Sequence, residues 1–116
     1  MIEHYENQFG SFPRSATSKG ILIHTANDAG NVGPDFAYGW GLVDAANAAN
    51  FITTAASGVA SHQVHEETYS GTEWTTTIDS SGTAPLKVSL VWTDPAGSPQ
   101  GPGVDVTGSV LVNDLD

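Results

Sequence analysis

The hydrophobic period of this 116-residue chain changes once, near Gly58, and no other feature restricts its fold as strongly. Before that point apolar residues recur at helical spacing. In MIEHYENQF, Ile2, Tyr5 and Phe9 form one stripe of a short helix, and Gly10 and Pro13 in GSFPRS break it. A second helical segment is predicted in SATSKGILIHTAND, with Ser15 or Thr17 capping its first amides and Ala16, Ile23 and Ala26 on one face. Asn31 and the glycines of DAGNVG end it in a loop. The third segment, LVDAANAANFITTAA, is dense in alanine, and small side chains let a helix lie close against a neighbour, so it is expected to pack along its length.

After Gly58 the period becomes two. HQVHEETYSGTEWTTTID mixes β-branched and aromatic residues around a turn at Ser70 and Gly71, and LKVSLVWTD places Leu86, Val88, Leu90 and Trp92 on one face. SSGTAP and DPAGSPQGPG read as turn-rich connectors. Four strands are expected, near 59–69, 73–79, 86–93 and 109–116. Helices followed by strands give an α+β chain of two units, 1–57 and 58–116.

Charge limits the partners. Arg14, Lys19 and Lys87 stand against thirteen acidic residues, a formal charge of −10. Such a field repels phosphate backbones and anionic head groups, which argues against nucleic acid and membrane surfaces. With no cysteine there is no disulfide, thiol nucleophile or cysteine-ligated metal. MIEHYENQFG lacks a basic region followed by an apolar run, so an export signal for a secreted parent would lie outside this sequence.

Between the second and third helices lies GPDFAYGWGLVDAANAAN, Gly33 to Asn50, in which a large ring is held between two glycines. On residue types alone, the glycines supply positive φ and the aromatics fill a core. The longer stretch LIHTANDAGNVGPDFAYGWGLVDAANAAN resembles the C-terminal end of the catalytic domain of subtilisin-like serine peptidases. There a helix ending in Thr-Ala leads through a loop to Tyr-Gly-Trp-Gly, one variable residue, Val or Leu, Asn or Asp, and then Ala-x-x-Ala. Tyr38, Gly39, Trp40, Gly41, Asp44 and Ala45 carry that motif here. LKVSLVWTDPAGSP and LVNDLD resemble the opening strands of the β-sandwich that follows this domain in one bacterial branch of the family. The resemblance implies the helical end of an α/β peptidase domain followed by a partial antiparallel, jelly-roll-like β-sandwich. It also implies that Gly39-Trp40-Gly41 is a structural turn that docks the last helix, not a reaction centre.

What the family needs for chemistry is missing. Its serine sits in Gly-Thr-Ser-Met-Ala at a helix start, after the catalytic Asp and His, and an upstream asparagine completes the oxyanion hole; none of these motifs occurs here. MIEHYENQF would correspond to the end of the helix after the nucleophile. The expectation is therefore a non-catalytic C-terminal fragment of a secreted serine endopeptidase, inactive alone. Its partner would be the upstream peptidase domain, and it would meet polypeptide substrate only through the parent. The competing reading is a stand-alone β-sandwich module that binds calcium, protein or carbohydrate.

Other residues offer weaker sites. His4, His24, His62 and His65 are the only histidines, and no serine occupies a strand-turn-helix nucleophile setting, so no catalytic residue is assigned. His62 and His65 with Glu66 have a spacing that ligates metal on a helix, whereas the segment reads as strand or linker. Asp94, Asp114 and Asp116 are candidate oxygen ligands for calcium, an ion that subtilisin-like enzymes commonly bind, although DLD can equally be a strand with both aspartates facing water. LVNDLD carries no turn or polar cap after it, so the sandwich is expected to be incomplete, with an edge and the Leu86-Val88-Leu90-Trp92 face left open. In the helical half, Ile23, Trp40 and Leu42 are expected to lack the sheet that would cover them.

Overall fold

A computed structural model describes residues 1–78, 80, 82–83, 85–99, 101–103, 108 and 110–115. It contains three helices, α1 (Ile2–Phe9), α2 (Ser15–Thr25) and α3 (Ala45–Ala56). Gly10 stops α1 in the left-handed conformation at φ 75°, and its amide donates to Glu6 O at 2.8 Å. Neither Ser15 nor Thr17 caps α2; Arg14 holds the N-cap position, and its side chain makes no capping hydrogen bond. Asp44 caps α3, its Oδ1 accepting from the Asn47 amide at 2.8 Å.

The core is small and helical. Tyr5, Ile21, Ala48 and Ile52 are buried, and Phe9, Phe51 and Val64 pack against them. α3 touches both other helices. Ala48 and Ile52, one turn apart on α3, are its buried residues, so the small side chain does permit the close approach expected of it. Tyr5 and Phe9 stack with ring centroids 4.4 Å apart. On α2 the buried positions are Ile21 and Thr25, not the Ala16-Ile23-Ala26 face expected from spacing. Thr25 is accommodated because its hydroxyl donates to Ile21 O at 2.7 Å, and its carbonyl receives Asn47 Nδ2 at 3.1 Å.

The second half corrects the expected fold class. Among the described residues there is no strand, so the predicted α+β fragment with a partial antiparallel, jelly-roll-like β-sandwich is instead an all-helical fold with a long irregular extension. The runs 59–69, 73–79, 86–93 and 109–116 do not pair where they are described; Asp79, Ser109 and Asp116 lie outside the described residues. Alternation specifies an apolar face, but a strand also needs another run placed opposite its amides and carbonyls. Here glycine- and proline-rich connectors separate the runs, and side chains fasten them elsewhere. Leu86, Val88 and Leu90 consequently remain exposed. The radius of gyration, 16.8 Å, exceeds the roughly 13 Å of a compact 100-residue domain.

Those fastenings run mainly to the helical half. Glu66 accepts from the Arg14 amide at 3.0 Å and lies 4.0 Å from Arg14 Nε, while Arg14 Nη1 donates to Thr68 at 3.1 Å. Burial, reinforced by the charge of Glu66 and a hydrogen bond to it, pushes the Tyr5 hydroxyl above its ordinary pKa. Further along, Lys87 Nζ donates to the His24 carbonyl and Ser89 Oγ lies 3.0 Å from His24 Nδ1.

Candidate docking surface

The loop from Asp28 to Val43 joins α2 to α3 and carries the Tyr-Gly-Trp-Gly motif. Its base is closed by Asn27 and Leu42, which exchange both backbone hydrogen bonds at 2.9 Å. A smaller closure lies inside it, where Asp35 and Gly39 exchange bonds of 3.0 and 2.8 Å. Gly41 has φ 92°, and a Cβ there would overlap the Asn27 carbonyl, so the position admits only glycine without a shift. Gly30 is similarly constrained, because a Cβ would run into Asp35 Oδ2 and the Tyr38 ring.

Asp35 organises the loop interior. Its Oδ1 accepts from the amides of Ala37 at 2.9 Å and Tyr38 at 2.6 Å, and its Oδ2 from Asn31 at 3.0 Å. These amides, that of Tyr38 foremost, hold its carboxyl below the ordinary range. Asp28 Oδ2 accepts from the Gly33 amide at 2.8 Å. Asp44 joins loop and helix, since Oδ1 caps α3 while Oδ2 receives Asn27 Nδ2 at 3.1 Å. The Asn47 amide, then the Asn27 side chain, lowers its pKa as well.

The polar groups therefore satisfy one another and the apolar ones face outward. Trp40 is 56% exposed, Leu42 and Val43 are each 66% exposed, and Val32 and Phe36 are fully so. Tyr38 and Phe12 are also exposed. The reading that the aromatics fill a core fails within this chain. The motif residues Tyr38, Gly39, Trp40, Gly41, Asp44 and Ala45 are brought together as one turn and helix start. Ile23, by contrast, is half-buried while Trp40 and Leu42 are exposed. Sequence reasoning overlooked Asp35, although Pro34-Asp35 before a glycine turn is the signal for an aspartate that binds amides two and three residues on.

The other candidates are dispersed. Desolvation of the His24 ring, then Lys87 and His62, lowers its pKa. The charges acting on His24 are thus cationic, whereas a serine nucleophile needs a carboxylate to steady the imidazolium. His4 Nε2 lies 2.9 Å from Thr53 Oγ1 and 3.2 Å from Ala49 O, joining α1 to α3. His65 stacks on Trp74 at 4.1 Å and meets Glu67 at 3.1 Å, whereas Glu66 turns to Arg14. Asp94 Oδ2 accepts from the Val112 amide at 2.6 Å, and Oδ1 from the amide and side chain of Asn113 at 3.0 and 2.9 Å. Partial desolvation opposes these donors, which still hold its carboxyl low. Asp114 is exposed, and Asp116 lies outside the described residues. Among the described residues no three His, Asp or Glu side chains gather as a metal-holding group.

Comparison with protein families, curated proteins and solved structures finds no match to this chain.

Proposed function

We propose that this chain is a non-catalytic C-terminal portion of a secreted subtilisin-like serine endopeptidase, and that its helical unit docks against the upstream peptidase domain. Peptide-bond hydrolysis belongs to the parent, whose serine nucleophile lies upstream. The observation that carries this reading is the loop between α2 and α3: a turn closed by its own hydrogen bonds that leaves Trp40, Leu42, Val43 and Phe36 exposed. Fully burying each such side chain is worth about 1.5–3 kcal/mol, so a covering surface would gain much by association. The order of Thr25-Ala26, the loop, Tyr38-Gly39-Trp40-Gly41 and the Asp44-capped helix supports the same assignment.

The test is to sequence the coding region upstream of Met1 and to treat the 116-residue chain with a fluorophosphonate probe. The proposal expects a Gly-Thr-Ser-Met-Ala stretch in frame upstream and no covalent labelling of the chain. Labelling that disappears on mutation of one serine, or an upstream frame without the motif, would overturn it.

A further inference from the structure

We propose that His24 is the pH-sensitive element of a latch by which α2 holds the segment 85–91. Three contacts make the latch: Lys87 Nζ donates to the His24 carbonyl, Ser89 Oγ lies 3.0 Å from His24 Nδ1, and Val91 covers Gly20. A Cβ at Gly20 would lie 3.4 Å from Val91 Cγ2, which places that side chain directly against the helix. The imidazole is half-buried, with parts of α3, the turn after it and the latched segment beside it. Phe51 of α3 lies 5.0 Å away between centroids, and His62, in the turn after α3, lies 5.8 Å from Phe51.

The charged groups acting on His24 are Lys87 from the latched segment and His62 from the turn after α3. α3 itself contains no charged residue. Protonation of His24 therefore sets a cation beside Lys87 and His62. A neutral ring with an unprotonated Nδ1 accepts the Ser89 hydroxyl; the imidazolium carries a proton there and makes Ser89 an acceptor beside the lysine. The burial and neighbouring cations that lower its pKa oppose charging in the latched state. By linkage, the latch is complete above the ordinary histidine range and is lost as pH falls through the lower pKa of the latched state.

The measurement is the proton NOE between the Val91 methyls and the Gly20 Hα in the full chain, followed from about pH 7.5 to about pH 5, a range that spans histidine titration. The cross-peak should be present at the upper end and lost at the lower, with far-UV helicity unchanged. In His24→Gln, which keeps a polar partner for Ser89 but cannot charge, it should persist throughout. His62→Gln removes one neighbouring cation, so the release midpoint should move to higher pH. Persistence of the wild-type cross-peak in acid, its loss in acid from His24→Gln, simultaneous loss of helicity, or a midpoint unmoved by His62→Gln would each overturn the proposal.

Discussion

Asn27 and Leu42 stand opposite each other as an antiparallel pair, and Gly41 beside them brings its Cα against the Asn27 carbonyl. The closure of the aromatic loop thus depends on a residue without a side chain. Gly41→Ala should destabilise the fold by about 1–3 kcal/mol or more, since it combines an unfavourable φ with overlap of backbone atoms. Gly39 also has positive φ but open space around its Cα, so Gly39→Ala should cost only the backbone term, about 1–2 kcal/mol. Urea unfolding followed at 222 nm compares the two; equal losses would contradict the overlap.

Ile52 is fully buried where the helices meet. Ile52→Ala should cost about 2–5 kcal/mol, a large part of a typical 5–15 kcal/mol stability. Ala48→Leu at the adjacent buried position should destabilise by overpacking, by about 1–3 kcal/mol. Thermal unfolding of each variant is the check, and an unchanged midpoint for Ala48→Leu would show that α3 does not sit as closely as described.

Asp35, Asp44 and Asp94 all have pKa values below the ordinary 3.8 because amide donors favour their charged forms. The sign follows from linkage. The unfolded chain binds protons more readily, so this stabilisation is fully present above the ordinary carboxylate value and is lost as pH falls through the lower folded-state values. Acid titration of Asp35→Asn, monitored by near-UV absorption of the loop aromatics, should show a weaker dependence in that range than wild type. An identical profile would remove Asp35 as a contributor.

Asp94 joins two segments through three hydrogen bonds to Val112 and Asn113. Asp94→Ala should hasten proteolytic cleavage near residues 110–115 while leaving the helical circular dichroism unchanged. In the wild-type chain, added calcium should not slow this cleavage, since both Asp94 carboxylate oxygens already accept hydrogen bonds. Calcium-dependent protection of the wild-type chain would reinstate the cation reading.

The helices were legible because their signals are local. The Ile2-Tyr5-Phe9 stripe, the Gly10 stop and the alanine-rich run after Asp44 each act within a few residues. The choice of buried face on α2 was not legible from the same stripe, because Ile21 and Thr25 are selected by α3 across the interface. Beyond Gly58 the alternation of Leu86, Val88, Leu90 and Trp92 implied a strand with partners, and no strand forms among the described residues, because alternation alone places no second run opposite its amides and carbonyls. The fastenings that replace a ladder, Arg14 to Glu66 and His24 to Ser89, join residues 52 and 65 positions apart, a separation no periodicity reports. Within the candidate surface, the Tyr-Gly-Trp-Gly motif was visible, whereas its exposure depends on what surrounds it in space.

Because Asp35 binds three amides of its own loop, the aromatic turn has its shape before anything touches it. A surface that covers Trp40 and Phe36 need not first fold the segment presenting them. Ordering costs of about 0.5–1.5 kcal/mol for each immobilised side chain then fall on the rings alone, not on the backbone. Association should accordingly follow a single kinetic phase linear in partner concentration, as for two preformed bodies, with no concentration-independent plateau from slow loop closure.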